Sequence, residues 1–146
     1  MPLDPPPLDE SGQTLPHDHH GILAGDGVIR RVSIHHLVTD EKYPGKKRIS
    51  GSMAFRPSTG ENGGMSVDLE SLIIEAGVDA RAFVASPEWV GAVRFTAGAL
   101  RAEGFMVGYD PMPNNPYHGQ VWGRFSKQVQ KRLAALAEPF VPVPYL

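Results

Sequence analysis

The chain contains no cysteine, carries a formal net charge of only −2, and has no apolar run of membrane-spanning length. The missing cysteines exclude disulfides, thiolate metal sites and cysteine nucleophiles. The near balance of charge removes any global attraction to nucleic acid or to an anionic membrane, although local basic groups leave nucleic acid open. A bilayer core needs about 20 consecutive apolar residues, so no membrane segment is expected. The opening "MPLDPPPLDESG" has neither the basic nor the apolar part of a secretory signal, which makes a soluble cytoplasmic protein the expectation. Several catalytic and nucleotide-binding signatures are missing too. The glycines of "GENGG" are not followed by Lys-Ser or Lys-Thr, no G-x-G-x-x-G follows a strand pattern, and neither G-x-S-x-G nor H-E-x-x-H occurs.

Glycine and proline are plentiful instead, 16 and 14 of 146 residues, about a fifth of the chain against roughly 12% in average usage. That favours an irregular α+β or β-rich fold over a helical bundle. Residues 1–25 hold five prolines and little periodic apolar pattern. Such a segment buries too little surface to offset its ordering entropy, and it reads as a Pro-rich flexible or draped arm. A single α+β domain is expected over 26–146, with a mixed or antiparallel sheet and about three helices. Val28 to Val38 suit a first strand, and "ISGSMAF" (49–55) a second, with "RPSTGENGG" as loop. "SVDLESLIIEAG" has helical spacing at Leu69, Leu72, Ile73 and Ala76, closed by Gly77. A short turn follows at "DARAFVA", then a strand near 90–95, a helix "TAGALRAE" closed by Gly104, and strands at "FMVGYD" and "YHGQVWG". Ser126 caps a last helix, and "FVPVPYL" is a Pro-blunted edge segment or tail.

Six groups of residues carry chemistry-bearing side chains. "HDHH" (17–20) has the composition of a metal site, but it lies on the arm rather than on rigid elements, so no metal site is expected there. His35 and His36 close the first strand, where neighbours point to opposite faces and no ligand pair follows. Arg30 and Arg31, in the same strand, also point to opposite faces, so one of them crosses toward the core or a groove. An arginine fork suits phosphate or carboxylate; the plainer reading is a side chain snorkelling at the sheet margin. Ser50 and Ser52 add hydroxyls on the expected second strand. Arg124, Lys127, Lys131 and Arg132 form either a phosphate-binding or a solvated helix face.

"DPMPNNPYHGQVWG" (110–123) is the strongest local signal. Its prolines pin a strand-to-strand connection on either side of Asn114-Asn115. Alternation then places His118, Gln120 and Trp122 on one strand face. A rigid histidine beside Asp110, if the loop folds back, has the makings of a general acid/base pair, and Trp122 offers an indole for stacking. The alternative is a Pro-locked connection whose histidine satisfies backbone groups.

Taken together, "IRRVSIHHLVTDE", "SGSMAF", "MSVDLE" and "DPMPNNPYHGQVWGRFSK" resemble a group of small uncharacterised bacterial proteins with an Arg-Arg first strand and a D-P-x-P-x-N-P-x-H motif. The likeness covers about residues 28–128 and implies one domain and no particular activity. A weaker resemblance is to ADP-ribosyltransferase-like folds, in which a first-strand arginine or histidine and a later serine-bearing strand hold NAD. It would assign NAD binding to Arg30 or Arg31 and to Ser50 or Ser52; the glutamate usual in such enzymes has no clear counterpart. Beside a lesser reading as a His-based metal hydrolase, two functional readings result. One is a small enzyme acting on a phosphate-bearing ligand such as a nucleotide or NAD, with His118 and Asp110 catalytic and Arg30, Arg31, Ser50, Ser52 and Trp122 binding the ligand. The other is a non-catalytic interaction module, an antitoxin, immunity protein or assembly subunit, meeting a protein partner or a second copy through its N-terminal arm or C-terminal tail.

Overall fold

The computed structural model describes residues 3–58 and 63–144, so the loop expectations at Gly60 and Asn62 and the last two residues of the tail lie outside the described residues. The architecture is α+β. Six strands form one antiparallel sheet: β1 (Gly27–Val32), β4 (Met65–Leu69), β5 (Gly91–Thr96), β6 (Met106–Tyr109), β7 (His118–Trp122) and β8 (Glu138–Val141), in the spatial order β6-β7-β4-β1-β5-β8. A separate two-stranded ribbon pairs β2 (Leu37–Thr39) with β3 (Lys47–Ile49). Among the described residues there are five short α-helices: α1 (Gly51–Ala54), α2 (Glu70–Glu75), α3 (Ala80–Val84), α4 (Ala97–Ala102) and α5 (Lys127–Leu136). Among the described residues, no helix is long and apolar enough to cross a membrane.

Strand alternation sorts the sheet into two faces. Val28, Val32, Met65, Val67, Leu69, Val93, Phe95 and Val121 point into one apolar cluster, completed by Phe55 at the end of α1, Leu100 of α4 and Leu133 of α5. Ile29 and Ala92 point the other way, where Ile73 of α2, Ala80 and Val84 of α3, and Phe140 make a smaller cluster. This second face also carries Arg31, Ser66, Asp68 and His118, which by alternation stand opposite the large cluster.

Several local expectations are met by the chemistry that suggested them. The Ser126 Oγ accepts from the Val129 amide and caps α5, and Thr96 does the same for α4. Gly77 and Gly104 follow α2 and α4 at φ 75° and 91°, where a Cβ would be strained. Phe140 and Val141 of the expected edge segment lie in β8, which among the described residues pairs only with β5 and so forms one edge of the sheet.

Three expectations are corrected. The first strand ends at Val32, because Ser33 caps a single 3₁₀ turn over Ile34–His36 before β2 begins; His35 and His36 are therefore not strand residues. "ISGSMAF" is not a strand. Ile49 ends β3, and Ser50 begins α1, so Ser50 and Ser52 sit on a helix with their hydroxyls 3.1 Å apart. Gly51 explains the switch: a Cβ there would come 2.5 Å from the Gln130 carbonyl oxygen, so only glycine lets α1 lie against α5. The Gln130 side chain fastens the contact by donating from Nε2 to the Phe55 carbonyl at 2.9 Å. Finally, "SVDLE" is strand β4 rather than the first turn of a helix; α2 starts only at Glu70.

The N-terminal arm lies along β6. The His19 amide donates to the Val107 carbonyl, the Val107 amide donates to Asp18 Oδ1, and the Tyr109 amide donates to His17 Nε2, at 2.9, 2.9 and 3.1 Å. These bonds occupy backbone groups that an edge strand otherwise offers to another chain. Arg101 holds Asp18 from α4 at 2.9 Å.

Candidate functional site

The second face of the sheet opens into a cavity of about 410 Å³. Its floor is β1 and β4, through Arg31, Ser66 and Asp68. Because β7 and β5 flank those two central strands, the walls come from opposite sides. His118 and the loop carrying Met112, Asn114 and Asn115 stand on the β7 side; Phe83 of α3 and Trp89, just before β5, also line the cavity. Arg30 leaves β1 toward the other face, yet the residue also contributes to the lining of the cavity.

Asp68 organises the floor. Its Oδ2 accepts from Arg31 Nε at 2.9 Å, and its Oδ1 accepts from Arg31 Nη2 at 3.2 Å and from Asn115 Nδ2 at 2.8 Å. A carboxylate only 3% exposed needs such donors, and the guanidinium supplies both charge and geometry. Register puts Asp68 directly across from His118. The bond from Asn115 anchors the Pro-rich loop, which also closes on itself through the Met112–Asn115 backbone pair at 3.0 Å in both directions. Thus the asparagines and prolines of "DPMPNNPYH" do build a rigid turn, and that turn forms one lip of the cavity.

His118 is held from behind. Asp110 folds back, as the sequence reading required: His118 Nδ1 lies 2.9 Å from the Asp110 carbonyl oxygen and 3.1 Å from its carboxylate Oδ2. Both partners are acceptors, so Nδ1 carries the proton. Nε2 then holds a lone pair whenever the ring is neutral. The Asp110 carboxylate is itself fixed by Thr14 of the arm at 2.6 Å and by Gln120 Nε2 at 2.7 Å. Burial would raise its pKa, but the hydrogen bonds from His118, Thr14 and Gln120 outweigh that and hold it at about 2. The carboxylate therefore stabilises the fold above pH 3.8, a contribution lost only as the pH falls toward 2.

Arg30 is only 8% exposed. It donates from Nε to the Ala54 carbonyl at 2.9 Å, and from Nη1 to Ser58 Oγ at 3.0 Å and the Ser66 carbonyl at 2.9 Å. Burial, with the nearby Arg56 charge, brings this guanidinium down to about 10, still a cation at neutral pH. Arg30 Nη2, Arg31 Nη1, the Asn114 amide and His118 Nε2 make no hydrogen bond to another of the described residues. Three of these are donors, whereas the Asp68 oxygens are all engaged. With Arg30 and Arg31 against the single Asp68 carboxylate, the residues lining the cavity carry an excess of positive charge.

The structure thus brings together Arg30, Arg31, His118 and, behind it, Asp110. It does not bring in Ser50, Ser52 or Trp122. Ser50 and Ser52 sit on α1, away from the cavity lining. Trp122 shares the face of His118, as alternation requires, but is 4% exposed beneath the His17 ring, 5.3 Å between centroids. The arm histidines are likewise committed. His17 uses Nδ1 on the Leu15 carbonyl and Nε2 on the Tyr109 amide, and His19 uses Nε2 on the Asp4 carbonyl and Nδ1 on the Gly21 amide. Among the described residues, no three metal-ligating side chains are grouped. Sequence reasoning missed Asp68, Asn115 and Trp89. The signal for Asp68 was present in the period-two pattern Met65-Ser66-Val67-Asp68-Leu69, masked by the helical spacing that starts at Leu69.

His36 couples the 3₁₀ turn to the arginines. Its Nδ1 accepts from the Ser33 amide at 3.0 Å. Burial first, then the Arg30 and Arg56 charges, push its pKa down from 6.5 to about 4. Between those values the unfolded chain binds a proton that the folded one refuses, so stability falls as the pH drops from 6.5 through 4. His36→Gln retains an acceptor at the same capping position and is expected to remove an acid-linked loss on the order of 1 kcal/mol, after allowance for screening. Urea midpoints at neutral and mildly acidic pH check this; an unchanged pH slope in the variant would contradict it.

No family model matches the chain, and no curated protein or solved structure matches it either.

Proposed function

We propose that this protein is a small enzyme acting on a phosphate-bearing small molecule, with Arg30 and Arg31 holding the anion and His118 moving the proton. The observation that carries this reading is the Asp110–His118 pair: Nδ1 is tied back at 3.1 Å to the carboxylate, while Nε2 is uncommitted in a histidine that lines a cation-bearing cavity. Asp110 fixes the tautomer and steadies the imidazolium that forms when Nε2 takes a proton from a bound hydroxyl or water. The same nitrogen returns that proton to the departing oxygen, so the ring ends as it began. Arg31 enters this work already oriented by Asp68, which lowers the cost of arranging it around a ligand.

Calorimetric titration with inorganic phosphate and ribose phosphate tests the anion site. One site per chain is expected, with affinity falling about tenfold or more in Arg31→Ala, the loss typical of a charge-assisted contact. Absence of saturable binding by both probes at millimolar concentration would overturn the reading. Nucleotides and NAD run in the same assay give the ligand class.

A further inference from the structure

Among the described residues, three rings line the cavity, and two of them are already occupied. His118 is held by Asp110. Phe83 has the Arg31 guanidinium over its face, 5.5 Å from the centroid, and the Tyr117 ring against it in a T-shaped contact at 5.2 Å. Trp89 differs. It is half-buried in the wall, its backbone amide is fixed on the Ser86 carbonyl at 3.0 Å, and among the described residues its indole makes neither a ring contact nor a hydrogen bond. Tryptophan usually finds a partner for both its face and its N–H when it packs inside a protein. Across the floor strands, the Pro-locked loop presents Met112, 42% exposed, and the unpartnered Asn114 amide to the same cavity.

We propose that Trp89 and Met112 form a ring-binding subsite, so that the ligand is nucleotide-like: a planar heteroaromatic ring stacks on Trp89 while its phosphate meets Arg30 and Arg31. This inference rests on the anion reading above and names its substrate class. Every base has a face to stack, and thioether sulfur packs well against rings, so the subsite selects for planarity before it selects for a particular base. Asn114 supplies the polar edge, since an amide offers both a donor and an acceptor to the rim of a base. The loop is tied to Asp68 through Asn115, which lowers the cost of ordering it around a ligand.

Calorimetry on the full chain with adenosine monophosphate, adenosine and ribose phosphate tests this. Adenosine monophosphate is expected to bind about tenfold or more tightly than ribose phosphate, within the range of base stacking on an aromatic side chain. Trp89→Ala should bring the two ligands to within about twofold of each other, and Trp89→Phe should keep much of the difference, the pattern of a stacking platform. Equal affinities for adenosine monophosphate and ribose phosphate in the native protein would overturn the ring subsite and leave the anion reading standing. Adenosine binding as tightly as its monophosphate, with loss in Trp89→Ala, would support the ring subsite and remove the anion reading. An adenosine monophosphate preference unchanged in Trp89→Ala would also overturn the subsite.

Discussion

Arg30→Met is expected to lower the unfolding free energy by about 3 kcal/mol, near 2 at the least, and the melting temperature by roughly 6–12 °C. Methionine fills similar space but donates nothing. The Ala54 and Ser66 carbonyls and the Ser58 hydroxyl would each lose their bond to this guanidinium. Relief from burying a charge offsets part of the loss, which is why the expected cost stays well below the sum of three charge-assisted bonds. Because these bonds join β1 to the end of α1 and to β4, the variant should also loosen the cavity wall. Arg30→Lys keeps the charge but not the fork, and should recover no more than about half of the difference. Urea unfolding with an unchanged m value reads the effect directly. Were Arg30→Met as stable as the native protein, Arg30 would be a ligand group only and not a staple of the fold.

The second large effect is expected at His118. Across a panel of nucleotides, NAD and dinucleotides, His118→Gln should reduce turnover of any substrate by roughly 10²–10⁴-fold while changing phosphate affinity by less than about threefold. That split follows from the geometry: the anion donors are the arginines, whereas the imidazole supplies the lone pair. Asp110→Asn should fall between the two proteins, because an amide beside Nδ1 weakens the preference for the tautomer with Nε2 free. It should also lose the acid-resistant stability that the Asp110 carboxylate contributes above pH 3.8. Equal losses of phosphate affinity and turnover in His118→Gln would mean that the ring binds the anion and does not move the proton.

Much of this arrangement was legible before the fold was known, and for identifiable reasons. The doublet Arg30-Arg31 had to divide between two faces, and it does: Arg31 lies beside Asp68 on the cavity floor, while the Arg30 side chain leaves toward the Ala54 carbonyl although the residue still lines the cavity. The prolines around Asn114-Asn115 announced a fixed connection, and the residues after them alternated cleanly into β7. Asp110 could pair with His118 only if the loop folded back, a path the local pattern left open and the fold supplies. What stayed hidden depended on long-range contact. Ser50 and Ser52 followed an apolar alternation that was broken by the approach of α5 to Gly51, seventy-nine positions before Gln130 in the chain. Asp68 became central only when β4 paired with both β1 and β7, which no local pattern specifies. Trp122 satisfied the face rule yet was covered by His17, since the path of the arm is set by the open edge of β6 and not by its own sequence.

The most direct test of the account is the nitrogen chemical shifts of the His118 ring, recorded by NMR at neutral pH with and without inorganic phosphate. The account predicts a protonated Nδ1, an unprotonated Nε2, and a change at Nε2 that saturates with phosphate. A protonated Nε2 in the neutral ring, indifferent to phosphate, would contradict it.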